Sequence, residues 1–209
     1  MPQVVVPGNH DVPLYDVVRR FATPLRRFRR HITRDLSPLY QDDRIAMVGV
    51  NTARSLTFKG GRINADQVAS VAERFAGLDP SILRIVVTHH PFDLPAQGRE
   101  DDLVGRAPMA MRAFADCGVD LFLSGHMHQT HSSNTAQRYS IDGYSALVVQ
   151  AGTASSTRGR GESNSFNVIR VAQPGISVDT WSWQPTDGTF AHVQTDAFRR
   201  DASGWSSKR

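Results

Sequence analysis

The 209-residue chain has a single cysteine, Cys117, and only two lysines, Lys59 and Lys208. One cysteine excludes an internal disulfide framework and suits a reducing compartment, so a cytoplasmic location is expected. Cys117 lies in Ala-Asp-Cys-Gly-Val at an expected helix end, where a small buried side chain is a better reading than a catalytic thiol. No stretch approaches the ~20 consecutive apolar residues of a membrane span, and the Met-Pro-Gln start shows no leader pattern. Neither membrane partners nor export is expected. Internal repeats, low-complexity tracts and charge blocks are also lacking, which excludes collagen-like, coiled-coil and disordered classes. What remains, with 40% hydrophobic and 21% charged residues, is a soluble domain with a sizeable core.

The scarcity of lysine makes the positive charge almost wholly arginine: 22 of the 24 basic residues, for a net charge of +4. Such a balance favours anionic partners, phosphate esters among them. Seven arginines fall between Arg19 and Arg34. Across the same stretch Val17, Val18, Phe21, Leu25, Phe28 and Ile32 keep helical spacing, which predicts one amphipathic helix with the arginines on its solvent face. The aromatic residues lie on the apolar stripe and do not interleave with the charges. A solvated helix face is therefore the better reading, and nucleic acid an unlikely partner.

Short, nearly continuous apolar runs predict buried strands at Val4–Val6, Ile45–Val50, Ile82–Thr88 and Val119–Leu123. Further strands are expected at 145–150, 165–171 and 176–183. Asn64 followed by Gln67 has the pattern of a capping box, and Val68, Val71, Phe75 and Leu78 form the stripe of the helix it opens. A second helix is expected over 107–117. Residues 92–106 read as loop. Helices alternating with buried strands, then strands alone, point to a layered α/β protein. The expected domain covers 1–185, with 186–209 a polar C-terminal tail. Trp181 and Trp183 alternate with Thr180 and Ser182, as on one covered sheet face.

Three of these strands end in loops of ligand-type residues: Gly8-Asn9-His10-Asp11, Thr88-His89-His90-Pro91 and Gly125-His126-Met127-His128. They hold five of the eight histidines. Carboxyl ends of buried strands are where α/β folds place their sites. Imidazole nitrogens and a neutral Asn carbonyl oxygen suit divalent transition metals, and glycine lets the backbone turn sharply.

In these motifs the chain resembles the calcineurin-like metallophosphoesterases, whose string ends in Gly-Asn-His-Asp/Glu, a single His, and Gly-His-x-His. Val48-Gly49-Val50-Asn51-Thr52, Ala151-Gly152-Thr153-Ala154 and Ser165-Phe166-Asn167 resemble the cyclic-nucleotide phosphodiesterase-like branch. The likeness runs from Val4 to about Trp183. It implies a four-layer αββα sandwich and two-metal hydrolysis of a phosphate ester, a phosphodiester such as a cyclic nucleotide, with Mn, Fe or Zn. It further implies that Asn9, His89 and His126 bind one metal and His128 the other. His10 would be catalytic at the scissile phosphate, His90 would lie near the substrate, and Asp11 would fix the loop.

The family's Asp-x-His and Gly-Asp-x-x-Asp motifs do not occur in this chain. The resemblance then implies a fold missing its first strands, N-terminally incomplete, with one metal or none in place of two. Val4–Val6 would leave an unpaired sheet edge through which the chain could form oligomers. The expected activity is that of a poor hydrolase. The competing readings are a non-catalytic remnant with at most one metal, and a weak arginine-mediated nucleic-acid binder. Arg158-Gly159-Arg160-Gly161 is expected as a flexible basic loop.

Overall fold

The computed structural model of the chain describes residues 2–57, 59–95, 98–156 and 162–208. The basic loop at Arg158–Gly161 lies outside them. The apolar runs form the centre of a six-stranded sheet. Strands β1 (Leu39–Gln41), β2 (Ile45–Val50), β3 (Leu83–Thr88), β4 (Leu121–Ser124), β5 (His131–Asn134) and β6 (Leu147–Gln150) lie in the order β1-β2-β3-β4-β6-β5. The middle four are parallel and the two edge strands antiparallel. Parallel strands need both faces covered, which is why these segments are apolar at nearly every position.

One face, with Ala46, Val48, Val86, Phe122 and Val148, packs on helices α3 (Ala65–Phe75) and α4 (Ala107–Asp116). Asn64 caps α3 as its spacing predicts: its side chain accepts from Gln67 N, while Gln67 reaches back to Asn64 N. The other face, with Leu83, Ile85, Leu121, Leu147 and Val149, packs on a second sheet through Ile176, Val178, Phe198 and Trp205. That sheet is an antiparallel meander of β7 (Ser165–Ala172), β8 (Gly175–Gln184), β9 (Thr189–Asp201) and β10 (Gly204–Ser207). These elements stack as helix, sheet, sheet, the mixed α/β layering expected of the fold.

Three expectations change. First, residues 186–209 are not a tail, because β9 and β10 complete the second sheet. Trp205 is 3% exposed, and its indole N–H donates to Asp120 Oδ1 at 3.0 Å. Second, Val4–Val6 forms no strand. The side of β2 away from β3 is taken by β1, and beyond it Gly49 N bonds to Pro38 O.

Third, the single helix over 17–32 is two short ones, α1 (Val17–Ala22) and α2 (Arg26–His31), broken at Thr23-Pro24. Proline disfavours helical backbone at the residue before it. The predicted faces of α1 are also inverted. Val18 is 77% and Phe21 56% exposed, while Arg20 is buried. Its guanidinium donates to the carbonyls of Ser55, Pro13 and Thr57 at 2.6, 2.8 and 2.7 Å. Only Leu25 and Phe28 of the expected stripe reach a core, packing with Val12, Leu36 and Ala53.

Candidate metal centre

The parallel arrangement puts the ends of β3 and β4 side by side. Gly125 N–H donates to His89 O at 3.2 Å, so the two histidine loops are tied together directly. In the β4 loop His126 and His128 adopt φ of 71° and 61°, left-handed conformations uncommon outside glycine. Strain of this kind gathers at functional sites. The third loop is a 3₁₀ turn over Asn9–Asp11, closed by a bond from Gly8 N to Asp11 Oδ2 at 2.8 Å. Asp11 thus braces the loop. Gly8 rests on the His89 ring, where a Cβ would lie 2.7 Å from Cε1 and 2.8 Å from Nδ1. Glycine is what allows that approach.

Asn9 Oδ1 lies 2.9 Å from His89 Nε2, and His126 Nδ1 lies 3.2 Å from the same atom. Three potential donors from three loops therefore converge on one point. One shared proton cannot serve all three well, whereas a cation accepting three lone pairs can. The set fits a divalent transition metal with N and O ligands. Burial first, then the charges of His90, His126, His10 and His128, push the His89 pKa down to about 3. His89 is thus neutral, as a ligand must be.

His90 completes a geometric triad, since ligand atoms of His89, His90 and His126 lie within 4.8 Å of one another. Its nitrogens are nevertheless committed elsewhere. Nε2 donates to Lys59 O at 2.9 Å, which leaves Nδ1 to accept from the Thr52 hydroxyl at 2.8 Å. The side chain is fully buried, and its pKa is pushed down to about 4, chiefly by burial. Expected beside the substrate, His90 is instead a neutral brace between β3 and the ends of the 52–59 segment. Thr52 is the partner that sequence reasoning missed.

His10 is exposed at the tip of the 3₁₀ turn, and His128 is half-buried. Both lie close enough to bear electrostatically on His89. Cys117 is half-buried with its pKa raised to about 11 by burial, which suits packing and not nucleophilic attack.

The family model for calcineurin-like phosphoesterases matches residues 1–130. The chain belongs to that family, whose chemistry is metal-dependent hydrolysis of phosphoesters. No curated protein matches the sequence. Among solved structures, the chain is similar to GAP50, described as the anchor in the inner membrane complex of Plasmodium, at 15% identity and a TM-score of 0.46. That match covers 76% of this chain and 51% of GAP50. A putative 5'-nucleotidase from Staphylococcus aureus gives 15% identity and a TM-score of 0.37, over 79% of this chain and 29% of the nucleotidase. Chaetomium thermophilum Vps29 gives 12% and 0.33, over 74% of this chain and 96% of Vps29. The chain thus spans about half of the first and under a third of the second. No helix among the described residues is long and apolar enough to cross a membrane.

Proposed function

We propose that this chain binds one divalent metal ion through Asn9 Oδ1, His89 Nε2 and His126 Nδ1 and contributes that half-centre to phosphoester hydrolysis. The carrying observation is the convergence of those three atoms, at 2.9 and 3.2 Å, from loops far apart in sequence. Mn, Fe and Zn all suit the donor set. When bound, the ion supplies Lewis-acid polarisation of a phosphoryl oxygen. The chain's own groups do the rest. Asn9 and the two imidazoles would fix the ion's position, and the exposed His10 is the group assigned to give the leaving-group oxygen its proton. His128 is the ligand left for a second position.

The proposed substrate is a small phosphodiester such as a cyclic nucleotide. The ligand set is uncharged, so the net charge that anionic ligands would supply is absent from it. The protein by itself is accordingly a slow hydrolase.

The test is metal uptake. Chelator-treated protein is titrated with Co2+, followed by calorimetry and visible absorption, and its hydrolysis of bis-p-nitrophenyl phosphate is measured alongside. One ion per chain in wild type and none in His89→Ala is expected. Absence of uptake by wild type refutes the proposal.

A further inference from the structure

His126 meets the metal position through Nδ1, and its other nitrogen faces away. At 3.9 Å from that Nε2 stands a carboxylate oxygen of Asp102. Both side chains are largely sheltered, at 10% and 23% exposure. We propose that Asp102 is the positioning residue of this centre: it accepts the Nε2 proton of His126 and so keeps the Nδ1 lone pair turned toward Asn9 and His89. The inference rests on the metal reading above and adds to it the source of negative charge that the three neutral ligands lack.

The chemistry of imidazole requires some such group. A neutral ring carries one proton, and without a preferred acceptor either nitrogen can hold it. If Nδ1 held it, the lone pair would point away from the metal. Metal-bound histidines characteristically donate their second ring N–H to a carboxylate or carbonyl for this reason. The gap of 3.9 Å closes to a hydrogen bond with a movement of about 1 Å.

The fold holds Asp102 in place from both sides. It ends a 3₁₀ turn, Glu100–Asp102, in which Asp102 N donates to Arg99 O at 2.8 Å. Arg138 clamps that turn, donating through Nη1 to Glu100 Oε1 at 2.7 Å and through Nε to Asp93 Oδ1 at 2.9 Å. Immediately after it, Val104 N bonds to Pro91 O at 2.9 Å and Gly105 N to Gly61 O at 2.8 Å. The turn is therefore stitched to the segments that flank His89 and His90. The run Glu100-Asp101-Asp102 could have served as an ordinary solvated acidic turn, yet only Asp102 is turned inward, while the Asp101 side chain is 89% exposed.

The experiment compares wild type with Asp102→Ala, Asp102→Asn and Asp102→Glu, using Asp101→Asn as a control for bulk charge. Two readouts are taken. Nitrogen NMR of the chelator-treated protein reports the His126 tautomer, and Co2+ titration reports affinity. The Nε2–H tautomer is expected in wild type, with a mixture in Asp102→Ala. Cobalt affinity falls by about 10- to 100-fold in the Ala and Asn variants, recovers in part in Asp102→Glu, and is unchanged in Asp101→Asn. Asp102→Asn matches the native shape, so it keeps the test open should the Ala variant fold poorly. Wild-type cobalt uptake with affinity within about twofold in both Ala and Asn variants overturns the role of Asp102 alone. No uptake by wild type overturns the metal reading beneath it.

Discussion

Replacing Arg20 with methionine removes a buried guanidinium while keeping much of its apolar length. Among the described residues three charge-assisted bonds disappear, to Ser55, Pro13 and Thr57. At ~1.5–3 kcal/mol each, their gross contribution is about 5–9 kcal/mol. Two effects reduce it. The acceptor carbonyls belong to half-buried residues and regain water in the variant, and the cost of desolvating the cation vanishes with it. The net loss is therefore about 2–4 kcal/mol, which for a chain of this size lowers the melting temperature by roughly 4–16 °C. Thermal unfolding followed by circular dichroism measures it. Arg20→Lys keeps the charge but loses the planar fork, so it should recover about half of the difference or less. An Arg20→Met protein melting within about 2 °C of wild type would show that the three bonds are replaced by water at no cost, and the reasoning would fail.

Acid should weaken the fold through the buried histidine pair at the candidate metal centre. His89 and His90 are held near 3 and 4, below the ordinary 6.5, so the unfolded chain binds more protons across that interval. Stability is then complete above pH 6.5 and lost as pH falls toward 4; equal urea midpoints at neutral and mildly acidic pH in chelator-treated protein would contradict this. Gly61→Ala would press a methyl group into the His90 ring, 2.7 Å from Cε1. A loss of about 1–3 kcal/mol is expected, and a wild-type melting curve would argue against the brace. Trp205→Ala should cost about 3–5 kcal/mol by denaturant titration. A dispensable C-terminal tail would lose nothing.

The central strands were legible because burial on both faces leaves an unbroken apolar run, and α3 because its cap and stripe agree. The elements that escaped are those whose partners are far away. His131–Asn134 is wholly polar yet pairs with Leu147–Gln150 as an edge strand. Phe198 and Trp205 are spaced in a polar stretch as if to pack occasionally on the body, but that spacing gives no sign of the strands that carry them onto the first sheet. Helical spacing marked the stripe of α1 but could not say which side the core lies on, and Arg20 took the inner side because carbonyls from two other segments converge there. At the site, Asn9, His89 and His126 stood out because they sit in short loops rich in ligand-type residues. Asp102 has no such signature, and Thr52, though part of the Val48-Gly49-Val50-Asn51-Thr52 motif, gave no sign of its bond to His90, since each matters for a histidine that the fold delivers to it.

The inversion of α1 has a consequence for how the molecule behaves in solution. Leu14, Tyr15, Val17, Val18 and Phe21 form an oily outer side, with the exposed arginines of α2 following directly. Mutual repulsion among those arginines opposes the meeting of two such sides while ionic strength is low. Added salt screens the repulsion but leaves the apolar attraction intact. Self-association should accordingly increase with salt, the reverse of what arginine-mediated binding to a polyanion would show.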